Sequence, residues 1–115
     1  MKDGPIVKKS LDFSVVIVRY CDFLTGKKKF VVANQLYKSG TSIGANVFEA
    51  QYAESRTDFI HKMKIAVKEA SETLYWLRLC EKMDDFEFQP GIMNDLKEIM
   101  AILSGIIITS KKNLN

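Results

Sequence analysis

Apolar residues recur at intervals of three and four positions through most of this chain, in four separate segments. The first stripe comprises Phe13, Ile17, Tyr20 and Leu24. This spacing fits one face of a helix better than a strand, and it predicts a helix over about residues 11–24. Ser10 is the expected N-cap, and Gly26 is the expected left-handed residue that ends the helix.

The second segment predicts a helix over about residues 30–54. Its stripe alternates steps of four and three, as in a left-handed bundle: Leu36, Gly40, Ile43, Val47 and Ala50. Glycine inside a helix costs about 1 kcal/mol relative to alanine. The presence of Gly40 and Gly44 therefore indicates a place where another backbone comes close.

Two further helices are expected over about residues 57–83 and 90–111. Ser55 and Asp58 resemble a capping box at the start of the third helix. The stripe of the third helix is Phe59, Met63, Ala66, Ala70, Thr73, Leu77 and Cys80, and that of the fourth is Ile92, Leu96, Ile99, Leu103 and Ile106. Short connections favour antiparallel neighbours, so the predicted fold is all-α, a single up-down-up-down four-helix bundle spanning residues 1–115.

The first, third and fourth helices carry more apolar residues than one stripe needs. The additional positions are Leu11, Val15 and Val18 in the first helix, Ile65, Trp76 and Leu79 in the third, and Met93, Met100 and Ile107 in the fourth. A bundle helix in a monomer needs one buried stripe. The surplus therefore predicts a second buried surface, most simply a homo-oligomer contact.

Length and composition fit one globular domain of 115 residues without a disulfide framework. Cys21 and Cys80 lie on apolar stripes, so we expect buried thiols.

The segment from Ile99 to Thr109 is too short to span a bilayer, and no signal-peptide pattern is present, so a cytoplasmic protein is expected. The net charge of +3 is uneven, since residues 1–68 carry +6 and residues 69–115 carry −3.

Few residues of this chain are suited to catalysis or to metal binding. His61 is the single histidine, and no Cys-x-x-Cys or paired Glu-x-x-His motif accompanies it. The run from Ser39 to Gly44 lacks the lysine and the preceding strand of a phosphate loop. We therefore expect no enzyme activity, no metal and no cofactor.

Small and polar residues of the second helix form a stripe beside its apolar positions. They favour hydrogen bonding or close packing across a helix or subunit contact. The candidate packing or oligomer-interface residues are Ser39, Gly40, Ser42, Ile43, Asn46 and Trp76.

The third helix has a polar arc opposite its apolar stripe. At 100° per residue, one arc contains His61, Lys64, Lys68, Ser71, Tyr75, Arg78 and Lys82. Cations interrupted by an aromatic ring suit a phosphate backbone with a stacked base. Lys27, Lys28 and Lys29 in the first loop, and Lys111 and Lys112 near the C-terminus, extend this field. The alternative is an ordinary solvated face.

Three segments of the second and third helices, residues 37–50, 53–62 and 68–77, carry a family resemblance. Their most specific element is Ser-Gly-x-Ser-Ile-x-x-Asn at residues 39–46. The chain resembles the bacterial four-helix-bundle family of 23S ribosomal RNA intervening-sequence proteins, which includes the accessory protein of diversity-generating retroelements. The resemblance extends from about Ser10 to Leu114. It implies a ring, pentameric in characterised relatives, with a basic nucleic-acid-binding surface and no catalytic residues.

The function expected from these observations is a homo-oligomeric accessory protein that holds RNA or DNA through backbone contacts. The alternative is a protein–protein adaptor whose basic arc is solvated or meets an acidic partner.

Overall fold

The computed structural model describes residues 4–114, which form four α-helices and one short 3-10 helix. Helix α1 spans Pro5–Gly26, α2 Phe30–Ala50, α3 Arg56–Lys82 and α4 Pro90–Lys112, and the 3-10 helix Asp84–Phe86 lies between α3 and α4. Each helix packs on the next along the chain, and α1 also packs on α4. The predicted all-α four-helix bundle is thus confirmed, as a rod 50 Å long and 22 × 20 Å wide.

Two predicted helix boundaries are wrong. Helix α1 begins at Pro5, not after Ser10, because proline at the first helical position has no N–H to leave unsatisfied. Ser10 lies inside the helix, fully buried, and its hydroxyl donates to the Val7 carbonyl. Helix α2 ends at Ala50, four residues earlier than expected, so that the chain can turn into the α3 cap.

The end of α1 is a Schellman motif in which Lys28 takes the position expected for Gly26. The Lys29 N–H donates to the Leu24 carbonyl and the Lys28 N–H to the Thr25 carbonyl, both over 2.9 Å. Lys28 has φ of 65°, whereas Gly26 is helical. The left-handed residue is therefore a lysine.

The α3 cap has the predicted residues. The Ser55 hydroxyl accepts from the Asp58 N–H over 3.0 Å, and the Asp58 carboxylate accepts from the Glu54 N–H over 3.2 Å. Both bonds satisfy backbone donors that would otherwise have no partner at the helix start.

The apolar stripes of α1, α2 and α3 form the core, with Phe59 half-buried at its edge. In α4 the stripe drifts, so that Met93 and Ile107 are buried while Ile106 is half-buried. An α-helix turns in 3.6 residues, and a strict alternation of fours and threes does not hold to its end. Met93 and Ile107 are therefore core residues and not the surplus surface inferred from the sequence.

Contacts between α1 and α2 show that these helices run antiparallel. A Cβ added to Gly40 would lie 2.7 Å from Ile17, and one added to Gly44 would lie 3.0 Å from the Ser10 carbonyl oxygen. Tyr20, near the other end of α1, donates a hydrogen bond of 2.8 Å to the buried Phe86 carbonyl. The α1 C-terminus is thereby joined to the loop before α4.

Candidate nucleic-acid interface

The polar arc of α3 lies on the outside of the bundle. Its core-facing side is held by Met63, Ala66, Ala70 and Leu77, all fully buried. The opposite side presents seven exposed residues: His61, Lys64, Lys68, Ser71, Tyr75, Arg78 and Lys82. We call this row the α3 outer face. At 1.5 Å per residue it extends over about 30 Å, the length of some nine stacked base pairs at 3.4 Å each.

The cations of the α3 outer face have no carboxylate partner within residues 4–114. Three ion pairs occur in this part of the chain: Lys9 with Glu98, Lys27 with Glu87 and Lys29 with Asp85. Lys64, Lys68, Arg78 and Lys82 take part in none of them. Their charge is therefore directed to solvent and available to an external anion.

A second helix adds to this positive field at the N-terminal end of α3. The Lys64 ammonium lies beside that of Lys111 near the end of α4, and the side-chain contact with Lys64, together with its like charge, lowers the pKa of Lys111. Two cations placed together without a counterion repel each other. An anion between them would relieve that repulsion.

Tyr75 supplies an exposed aromatic ring in the middle of the α3 outer face. The residue is 61% exposed, and its ring meets that of Trp76 edge-on with ring centroids 5.1 Å apart. The edge contact supports the ring and leaves much of it open. A nucleobase could stack there without displacing a core residue.

The Lys27–Lys29 loop lies at the end of the bundle that holds the α3–α4 connection. Lys27 is 3.8 Å from Glu87, and the Lys29–Asp85 pair lowers the pKa of the Asp85 carboxyl. Lys28 is exposed. The structure therefore separates this loop from Lys64 and Lys111, and it neutralises two of the three lysines locally.

The candidate packing residues of α2 divide into two groups. Ser39, Gly40 and Ile43 are buried within the chain, and the Ser39 and Thr73 hydroxyls share a hydrogen bond of 3.0 Å between α2 and α3. Ser42 and Asn46 are half-buried and bond to carbonyls of their own helix. Trp76 is half-buried, and its indole N–H has no protein acceptor among residues 4–114.

The buried thiols are poorly suited to nucleophilic chemistry. Burial raises the pKa of the Cys21 thiol to about 12 and also raises that of Cys80, so thiolate is scarce near neutral pH. His61, the one histidine, is exposed on α3. Within residues 4–114 no cluster of three or more His, Cys, Asp or Glu side chains is placed to hold a metal ion.

Sequence reasoning missed an apolar groove between α1 and α2, which we call the α1/α2 groove. It has a volume of about 780 Å³, and most of its lining is apolar, with polar residues at four positions. The apolar residues are Val7, Leu11, Gly44, Ala45 and Phe48, and the polar ones are Lys8, Ser14, Thr41 and Glu49. Leu11 lies off the apolar stripe of α1 and Phe48 off that of α2. Apolar residues just outside a buried stripe were the available signal, but their meeting depends on how the two helices pack.

None of the helices within residues 4–114 combines the length and hydropathy required to cross a bilayer.

Comparison with known proteins finds a matching family model and a similar solved structure. The family model described as 23S rRNA-intervening sequence protein matches residues 2–105. A 1.70 Å crystal structure of a protein with unknown function, from the S23 ribosomal protein family of Bacteroides thetaiotaomicron, is 47% identical with a TM-score of 0.81. That match covers 89% of this chain and 97% of the other. No curated protein matches.

Proposed function

Because this chain belongs to the 23S rRNA-intervening sequence protein family, we propose that it is a non-enzymatic, self-associating cytoplasmic protein that binds nucleic acid. The α3 outer face holds the phosphate backbone of RNA or DNA, and the protein positions that strand for another protein. The observation that carries the proposal is the row of unpaired cations on α3, continued by Lys111 on α4.

Backbone binding accounts for the composition of this face. Lys64, Lys68, Arg78 and Lys82 offer charge and hydrogen-bond donors to phosphates, which are the same for every base. Tyr75 adds stacking, which tolerates any base. The expected binding is therefore of low sequence specificity, and self-association multiplies the effect by repeating the cation row on every protomer.

A salt titration tests this proposal directly. For duplex DNA the logarithm of the affinity falls with the logarithm of salt with a slope of about −0.9 per neutralised phosphate. Four cations per protomer therefore predict a slope of about −3.6 per protomer engaged. The measurement is fluorescence anisotropy with mixed-sequence RNA and DNA between low and moderate salt.

A triple variant identifies the binding face. Lys64→Ala, Lys68→Ala and Arg78→Ala together should reduce affinity at low salt at least tenfold and make the salt slope shallower by roughly 2.7 units. The matched control removes the same number of lysines and arginines from other exposed positions: Arg19→Ala, Lys38→Ala and Lys97→Ala. If both triple variants lose affinity equally, net charge and not the α3 outer face drives binding.

The protein–protein adaptor predicts a different result. A particle that ignores RNA and DNA pools at low salt would favour an adaptor, with the α3 outer face solvated or facing an acidic protein.

A further inference from the structure

A stretch of about three turns in α4, ending just before Lys111 and Lys112, carries no charge around its whole circumference. From Ile99 to Ser110 the sequence contains no Asp, Glu, Lys, Arg or His. Its inward side is buried in the bundle. Its outward side, which we call the α4 outer face, consists of Ala101, Ser104, Gly105, Ile108 and Thr109, all exposed. A helix without charge on any side is typical of one that is covered on all sides.

No contact among residues 4–114 explains why position 105 is a glycine. Glycine in a helix interior costs about 1 kcal/mol relative to alanine. At Gly40 and Gly44 an added Cβ would press on α1, whereas at Gly105 it would meet no atom of residues 4–114 within 4 Å. A backbone approaching from outside the chain accounts for this glycine.

The α1/α2 groove complements this face in shape and polarity. Leu11 is 62% exposed and Phe48 is 44% exposed at the groove, whereas Ala101 and Gly105 present little side chain. Large residues over small ones let a helix lie close in an apolar groove between two others. Ile108, 56% exposed, supplies a side chain that can enter the groove.

Both surfaces lie in the same half of the bundle. The groove uses the first half of α1 and the second half of α2, and the α4 outer face belongs to the second half of α4. In an antiparallel bundle these halves are at the same end. Copies can therefore meet groove to helix without sliding along the bundle axis, and such a head-to-tail contact closes into a ring only where the rotation from one copy to the next closes.

We infer that the α1/α2 groove of one protomer holds the α4 outer face of the next copy of the same chain. The inference rests on the self-association contained in the proposed function, for which it supplies the contact. It leaves the α3 outer face outside the interface, so that every protomer keeps its cation row accessible.

Two single substitutions break opposite sides of this contact without touching the core. Gly105→Glu improves helix propensity but places a charge against the groove, and Phe48→Glu puts a charge inside the groove. Light scattering without nucleic acid should show an oligomer for the wild type and monomers for both variants. Val31→Glu, at a residue 73% exposed in the other half of α2, should retain the wild-type mass.

Cross-linking shows whether the contact is head-to-tail. A protein carrying Phe48→Cys and Ala101→Cys, treated with a short bismaleimide, should give a ladder of cross-linked multimers. Each single cysteine variant should give monomer only, because residue 48 faces residue 101 of the next copy and not its own equivalent. The native thiols are buried, so the reagent should not reach them. Phe48 and Ala101 lie on diagonal helices of one chain, α2 and α4, so a cross-link within a single protomer is not expected.

These experiments test self-association and the proposed interface separately. A wild type that is monomeric throughout would overturn self-association and this interface together. An oligomer that survives Gly105→Glu or Phe48→Glu, or dimers from a single cysteine variant, would overturn the interface alone. Nucleic-acid affinity is measured separately on the α3 variants, so its loss or retention does not affect this result.

Discussion

Gly40 and Gly44 set the distance between α1 and α2. Gly40 lies over the fully buried Ile17, whose β-branched side chain has little rotamer freedom in a helix. Gly44 lies against the Ser10 backbone. Neither neighbour is the flexible end of a long side chain, so the close packing depends on the absence of a Cβ.

Gly40→Ala should therefore destabilise the protein despite the better helix propensity of alanine. Overpacking costs about 1–3 kcal/mol and alanine recovers about 1 kcal/mol, so a net loss of about 1 kcal/mol is expected. Urea unfolding at one fixed protein concentration measures it. Gly26→Ala is the control, since its Cβ meets nothing within 4 Å. A Gly40→Ala protein as stable as the wild type would contradict the packing argument.

The buried thiols give the protein a dependence on alkaline pH. The Cys21 pKa is raised by burial from 9.0 to about 12, whereas the unfolded chain releases this proton at the ordinary value. Above pH 9 the unfolded state therefore binds fewer protons than the native state, and stability falls as pH rises towards 12. Below pH 9 this contribution is fully present. Burial shifts Cys80 in the same direction.

The free energy of unfolding should fall above pH 9 by up to about 1.4 kcal/mol per pH unit for each such thiol. Urea titrations at pH 8, 9 and 10 measure the slope. The variant with Cys21→Ala and Cys80→Ala should begin less stable at pH 8 but show a shallower decline. Equal slopes in both proteins would show that the thiols do not cause the effect.

At the scale of the helices, the end of α1 carries an avoidable conformational cost. Lys28 occupies the left-handed position of the Schellman motif, with φ of 65°. A side chain with a Cβ costs roughly 1–2 kcal/mol in this conformation, and glycine is the residue most often found there.

Lys28→Gly should therefore stabilise the protein by about 1 kcal/mol, measured by urea unfolding. Lys28→Ala is the matched control, because it removes the same lysine but keeps a Cβ at φ of 65° and so brings no relief. Equal effects of the two changes would contradict the argument, since both remove the same lysine.

The four helices were predictable from the sequence because the spacing of apolar residues is a local property of the chain. All four helices and most buried positions follow from intervals of three and four residues. The errors have local causes that the spacing argument overlooked: Pro5 begins α1 at the first helical position, and the 3.6-residue turn carries the α4 stripe towards Ile107. Of the candidate site, the α3 outer face was predictable for the same local reason.

At the scale of the whole molecule, self-association should appear in thermal stability. A protein that assembles in its native state is stabilised by mass action, so its Tm rises with protein concentration. We expect this rise for the wild type across a hundredfold range in differential scanning calorimetry. Gly105→Glu should show a Tm independent of concentration, and Val31→Glu should follow the wild type. A concentration-independent wild type would contradict assembly over that range.

The sequence by itself determined the four helices, their apolar stripes and the row of cations on α3, because each depends on residues within a few turns of one another. Tertiary structure decided which lysines have partners, since Lys29 meets Asp85 and Lys64 meets Lys111 across long stretches of chain. It also decided that Leu11 and Phe48 border one groove. Such contacts depend on how the helices pack against one another. The spacing of residues within a single helix does not determine which residues of two different helices come together.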